Sequence, residues 1–112
     1  MAAYFVFRHK VLDSDKLNND YLPKAVATLE PYAPEILVVD ENIEVIEGST
    51  EDTRTVVLKF KDREEAKRWY NSPEYQEIVK IRLAVTDGAG TVLAVYQARD
   101  GNLCAAKVLT GA

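Results

Sequence analysis

The chain has one cysteine, one histidine and one tryptophan in 112 residues, and these scarcities remove whole classes of function. A lone Cys104 forms no intrachain disulfide. Together with the single His9 it also leaves too few soft ligands for a structural zinc site. Long apolar runs are missing as well: "AAYFVF" after Met1 is six residues, too short for a signal h-region and far short of a membrane span. Positive charge is in deficit, with 14 Lys and Arg against 18 Asp and Glu, a net charge of −4 and a pI near 5.0. No long-range attraction for phosphate backbones or anionic lipid follows from that balance. The expected setting is therefore the cytoplasm, with no nucleic-acid and no membrane partner. Spacings of the GxGxxG, P-loop and HExxH kind are absent, and "TDGAGT" sits between a helix end and a strand, the wrong order for a phosphate loop. Neither a metal nor an organic cofactor is called for.

What remains is ample for a single domain over residues 1–112. Hydrophobic residues make up 47% of the chain, enough for one core. "AAYFVFRHKV" alternates as a strand, with Tyr4, Val6, Arg8 and Lys10 on one face and Phe5, Phe7, His9 and Val11 on the other. Asp13 or Ser14 then caps a helix whose apolar stripe is Leu17, Tyr21, Ala25 and Leu29. Pro23 predicts a kink in that helix and Pro34 its end. "EILVVDENIEVIEG" reads as one long strand interrupted at residues 40–42, and "RTVVLKF" as the next, with Val56, Leu58 and Phe60 on one face. "DREEAKRWYN" is a helix capped by Asp62 with Glu65 closing a capping box. "SPEYQEIVKIRLAVTDGAG" is another, opened by Ser72 and Pro73 and closed by Gly88 and Gly90. "TVLAVYQA" is the last strand, and residues 97–112 are an extension.

The order β, α, β, β, α, β is the split βαβ arrangement of an α+β, ferredoxin-like fold with an antiparallel sheet and a second helix broken at Ser72-Pro73. Helices cover one sheet face. The apolar residues of the other face predict a twofold homodimer in which two sheets pack together.

"RTVVLKFKDREEAKRWYNSPEYQEIVKIR" resembles the signature stretch of the domain-of-unknown-function 1330 family, within the dimeric α+β-barrel superfamily. The likeness extends more loosely over residues 3–96, including "AAYFVF", "IEVIEG" and "VLAVY". Where the family often has a Gly-rich turn before the second strand, this chain has "APE". The resemblance implies a homodimer with a small-molecule cavity in each subunit. Better-known relatives in the superfamily are polyketide cyclases, cofactor-free monooxygenases and simple binders.

Several residues suit such a cavity. His9 is the default general acid or base, since no other side chain titrates near neutrality unperturbed, and a first-strand His is similar to the related cyclases. If Phe5 and Phe7 face the helices, however, its parity makes it a core residue. Arg8 and Lys59 are cations on strands that otherwise read as buried; each either stabilises an enolate or pairs with Asp40, Glu44 or Glu47. Arg82 lies on an inward stripe and matches an Arg position of the family, as a structural pair or an anion clamp. Trp69, Tyr4 and Tyr96 are candidate pocket walls, the two tyrosines because the resemblance makes strands the walls of the barrel. These readings converge on a cofactor-independent enzyme of the polyketide cyclase or isomerase kind, enolising a substrate and closing its ring, for example to a pyrone. A non-catalytic dimeric small-molecule binder and a cofactor-free monooxygenase are the alternatives.

Overall fold

Alternation in "AYFVFRHKV" builds the central strand β1 (Ala3–Val11), which buries Ala3, Phe5, Phe7 and His9 and leaves Tyr4, Val6, Arg8 and Lys10 on the other face. The computed structural model describes residues 1–94; the expectations for Tyr96, Cys104 and the extension 97–112 fall outside them. The remaining strands are β2 (Glu35–Asp40), β3 (Arg54–Phe60) and β4 (Thr86–Ala94), in the order β2-β3-β1-β4 with every neighbour antiparallel. With the intervening helices this is the ferredoxin-like βαββαβ topology.

Between β1 and β2 the chain is helical in three contiguous pieces: α1 (Ser14–Lys16), a π-helical turn (Leu17–Tyr21) and α2 (Leu22–Leu29). Asp13 caps the start by accepting from the Lys16 N–H. The wide turn falls just ahead of Pro23, which has no N–H to donate back to Asn19. The expected kink therefore takes the form of a π turn that lets the helix continue. Leu17, Tyr21 and Ala25 are buried along the predicted stripe.

α3 (Arg63–Tyr70) and α4 (Pro73–Val85) follow β3. The Asp62 carboxylate accepts from the Glu65 N–H at 2.8 Å. The break between the helices is held from both sides. Ser72 donates its hydroxyl to the Trp69 carbonyl at 2.7 Å and accepts the Tyr75 N–H at 3.3 Å, closing one helix while opening the next. Trp69 and Tyr75 are thereby delivered side by side into the core, ring centroids 4.2 Å apart, beside the stacked pair Phe5–Phe7.

Two predicted boundaries are corrected. The strand read through "NIEVIEG" stops at Asp40, and residues 41–53 form an irregular loop; Ile46 is 87% exposed and so has no core to pack against. Gly88 and Gly90 do not end a helix. α4 ends at Val85, where the Leu12 N–H donates to the Val85 carbonyl, and both glycines lie inside β4 opposite His9 and Phe7. They are needed there for space: a Cβ on Gly88 would fall 2.0 Å from the Arg8 carbonyl oxygen, and one on Gly90 about 3 Å from the Phe5 and Phe7 rings.

Candidate active site

His9 and Arg82 are brought together from positions 73 apart in sequence. Strand parity points His9 toward the helices, and α4 crosses above it with Arg82 on its inner side; the two residues are 2% and 6% exposed. Arg82 Nη1 lies 2.9 Å from His9 Nε2. A guanidinium only donates, so Nε2 is the acceptor and the neutral ring carries its proton on Nδ1. Among the described residues Nδ1 makes no hydrogen bond. Arg82 Nε also donates to the Tyr75 hydroxyl at 3.3 Å, and the Tyr75 hydroxyl meets that of Tyr21 at 2.5 Å. The guanidinium sits 5.2 Å from the centre of the Phe7 ring, a favourable cation–π contact.

Electrostatics keep His9 neutral. Burial, then the charges of Arg82 and Arg54, lower its pKa from 6.5 to about 4. Burial works against the Arg82 charge, but the oxygens of Tyr75 and Tyr21 outweigh it and hold the group above its usual value. Burial, with Tyr75 alongside, pushes the Tyr21 hydroxyl well above the usual phenolic range.

These groups border a cavity of about 210 Å³ between the sheet and α2, lined mainly by Phe7, Tyr21, Leu22, Ala25, Leu29, Val56, Leu58 and Trp69 with His9, Arg54 and Arg82. The volume suits a molecule of about one ring and its substituents, at or below the small end of ligand pockets. Val26, Ile36 and Val39, all more than half exposed, form an apolar mouth between α2 and β2. Among the described residues no Asp or Glu lines the cavity. Trp69 is a wall, fixed by donating its indole N–H to Thr28 Oγ1 at 3.0 Å.

Of the sequence candidates, His9, Arg82 and Trp69 meet at this cavity. Tyr4, Arg8 and Lys59 project from the opposite, helix-free face, because residues one apart on a strand point to opposite sides. Arg8 there borders a separate groove with Asp40, Glu44 and Glu47. Tyr96 lies outside the described residues. Sequence reasoning passed over Arg54 and Tyr21. Arg54 shares the Val56–Leu58–Phe60 parity and is therefore inward, a signal that was present. Tyr21 was assigned to an apolar stripe, and the contact of its hydroxyl with that of Tyr75 depends on how two helices meet. Among the described residues no group of three or more His, Cys, Asp or Glu side chains gathers as a metal site would require.

A family model described as Domain of unknown function (DUF1330) matches residues 2–96. No curated protein matches the chain. Among solved structures the chain is similar to the RPA0582 protein of unknown function from Rhodopseudomonas palustris, with a TM-score of 0.73 at 11% identity over 87% of this chain and 84% of that one. It is also similar to SnoaB, a cofactor-independent oxygenase from Streptomyces nogalater, with a TM-score of 0.61 at 11% identity over 88% and 96%. A third likeness is to an ethyl tert-butyl ether d (ethd) family protein from Bacillus halodurans, with a TM-score of 0.57 at 9% identity over 86% and 99%. Identities this low show a shared fold, that of the ferredoxin-like dimeric α+β-barrel proteins, and carry no activity across.

Proposed function

This chain belongs to the family described as Domain of unknown function (DUF1330), and we propose that it is a small-molecule enzyme of the cyclase or isomerase kind, holding an enolisable substrate as its oxyanion. One observation carries the reading: a buried cation, Arg82, bonded to a neutral imidazole at the wall of an apolar cavity that no carboxylate lines. Among the described residues the groups bonded to Arg82 are neutral, and a bound oxyanion supplies the counter-charge that they lack. The guanidinium stabilises an enolate oxygen as it forms, while the His9 Nδ1–H, on the other side of the ring from Arg82, donates to a second oxygen of the substrate, in the way a neutral imidazole polarises a carbonyl.

His9 is a donor in this scheme and a weak base, because its lone pair is occupied by Arg82. The substrate accordingly supplies its own acidity, as a 1,3-dicarbonyl does, giving up its α-proton to water as the oxyanion binds, and the cavity holds its chain folded for ring closure. The lack of a lining carboxylate favours a second reading, a binding module that clamps the same anion without turning it over. The name of SnoaB suggests a third, a cofactor-independent oxygenase. Two copies pair through the helix-free face, where Tyr4, Val6, Val38, Val57 and Leu93 form the apolar centre.

Deuterium uptake at the α-carbon of ethyl acetoacetate in D2O, followed by NMR, tests the enzyme. We expect the protein to accelerate exchange and Arg82→Met to lose about 10²-fold of it, the usual effect of removing one oxyanion donor. Exchange at the buffer rate with 4-nitrophenol still bound as its anion would leave the binding module. Failure of both would overturn the oxyanion reading.

A further inference from the structure

Arg54 is the second buried cation of the cavity, and its counter-ion is of an unusual kind. The side chain is 7% exposed, whereas the Glu41 carboxylate that accepts from its Nε at 3.2 Å is 58% exposed and belongs to the irregular loop after β2. Arg54 stands directly across from His9 in the β1–β3 register, at the usual cross-strand side-chain spacing of about 5 Å. Its Nη groups make no hydrogen bond among the described residues.

Resting on the oxyanion reading above, we infer that Arg54 is a carboxylate anchor, that Glu41 is a displaceable stand-in for the ligand's own carboxylate, and that the substrates are therefore enolisable or phenolic carboxylic acids. A ligand with a hydroxyl or keto oxygen beside a carboxylate, as in a 2-hydroxybenzoate or a β-keto acid, places that oxygen at Arg82 and the carboxylate at Arg54. A guanidinium receives a carboxylate as two parallel hydrogen bonds, an arrangement that Glu41 meets with a single bond to Nε. The exchange replaces a half-exposed partner with one held in the low-dielectric cavity, where the attraction is stronger. A purely structural Glu41 would anchor its loop and have no bearing on ligand affinity.

The test is a pair of probes, 4-nitrophenol and 2-hydroxy-5-nitrobenzoate, titrated by calorimetry into the full chain and into Glu41→Gln and Arg54→Gln. The carboxylate is expected to tighten binding by about tenfold, as one charged hydrogen-bond pair does. Arg54→Gln should abolish the difference between the probes. Glu41→Gln, a change at an exposed position, should strengthen binding of the hydroxybenzoate several-fold, because the competitor is gone. Equal affinity for the two probes, or a Glu41→Gln variant that binds the hydroxybenzoate no better than wild type, overturns the anchor while leaving the oxyanion site standing. Binding of neither probe removes both.

Discussion

Acid should destabilise this protein through His9. His9 has a folded pKa of about 4 against 6.5 for the free side chain. A lowered folded pKa means the unfolded chain takes the proton first, so the stabilisation is complete above pH 6.5 and is lost as pH falls toward 4. At 1.36 kcal/mol per unit, the linkage integral gives a loss of about 1 kcal/mol by pH 5.5 and about 3 kcal/mol by pH 4. That is a large fraction of the stability of a typical small domain. The assay is urea unfolding of the wild type and of His9→Gln at pH 7.5, 5.5 and 4. Gln cannot titrate, yet its side-chain oxygen can still accept from Arg82. Carboxylates titrate equally in both proteins, so the difference between the two curves isolates His9. The wild type should lose about 3 kcal/mol more than the variant between pH 7.5 and pH 4. Parallel curves would refute the argument and would mean that His9 is not held neutral by burial and by the charges of Arg82 and Arg54.

Three further predictions address the scaffold. Ser72→Ala removes the acceptor for the Tyr75 N–H and should cost about 1 kcal/mol in thermal or urea unfolding, with Ser72→Thr or Asp recovering most of it. Gly88→Ala sets a methyl against the Arg8 carbonyl in the β1–β4 ladder and should cost about 3 kcal/mol or more; faster amide exchange in β1 and β4 would locate the damage. Light scattering should return twice the 12.6 kDa chain mass, and Val6→Lys, at the centre of the helix-free face, should return the monomer; a monomeric wild type at micromolar concentration would end the sheet-pairing proposal.

Caps and periodicities were legible because they are local. Asp13, Asp62 and Ser72 each satisfy helix N–H groups within three residues of themselves, so residue type and spacing reveal them without the rest of the chain. Gly88 and Gly90 were misread for the opposite reason. Taken alone, a glycine after an apolar stripe signals a helix end. Here the requirement comes from β1, whose backbone and Phe rings approach too closely for a Cβ. The loop after Asp40 was misread in the same way, since "IEVIEG" has strand-like alternation but, among the described residues, no neighbouring strand beyond β2 to pair with.

The sequence by itself determined the element order, the antiparallel α+β class, the broken helix at Ser72-Pro73 and the alternation of β1, because hydrophobic period and capping chemistry act over a few residues. The tertiary structure alone decided which face of β1 the helices cover, and hence that His9 turns toward Arg82 while Arg8, Lys59 and Tyr4 turn away. It also decided that Tyr21 and Tyr75 meet hydroxyl to hydroxyl, and that two cations flank one imidazole in an apolar cavity. Parity limits a strand to two orientations, but choosing between them takes the packing of a helix from far along the chain.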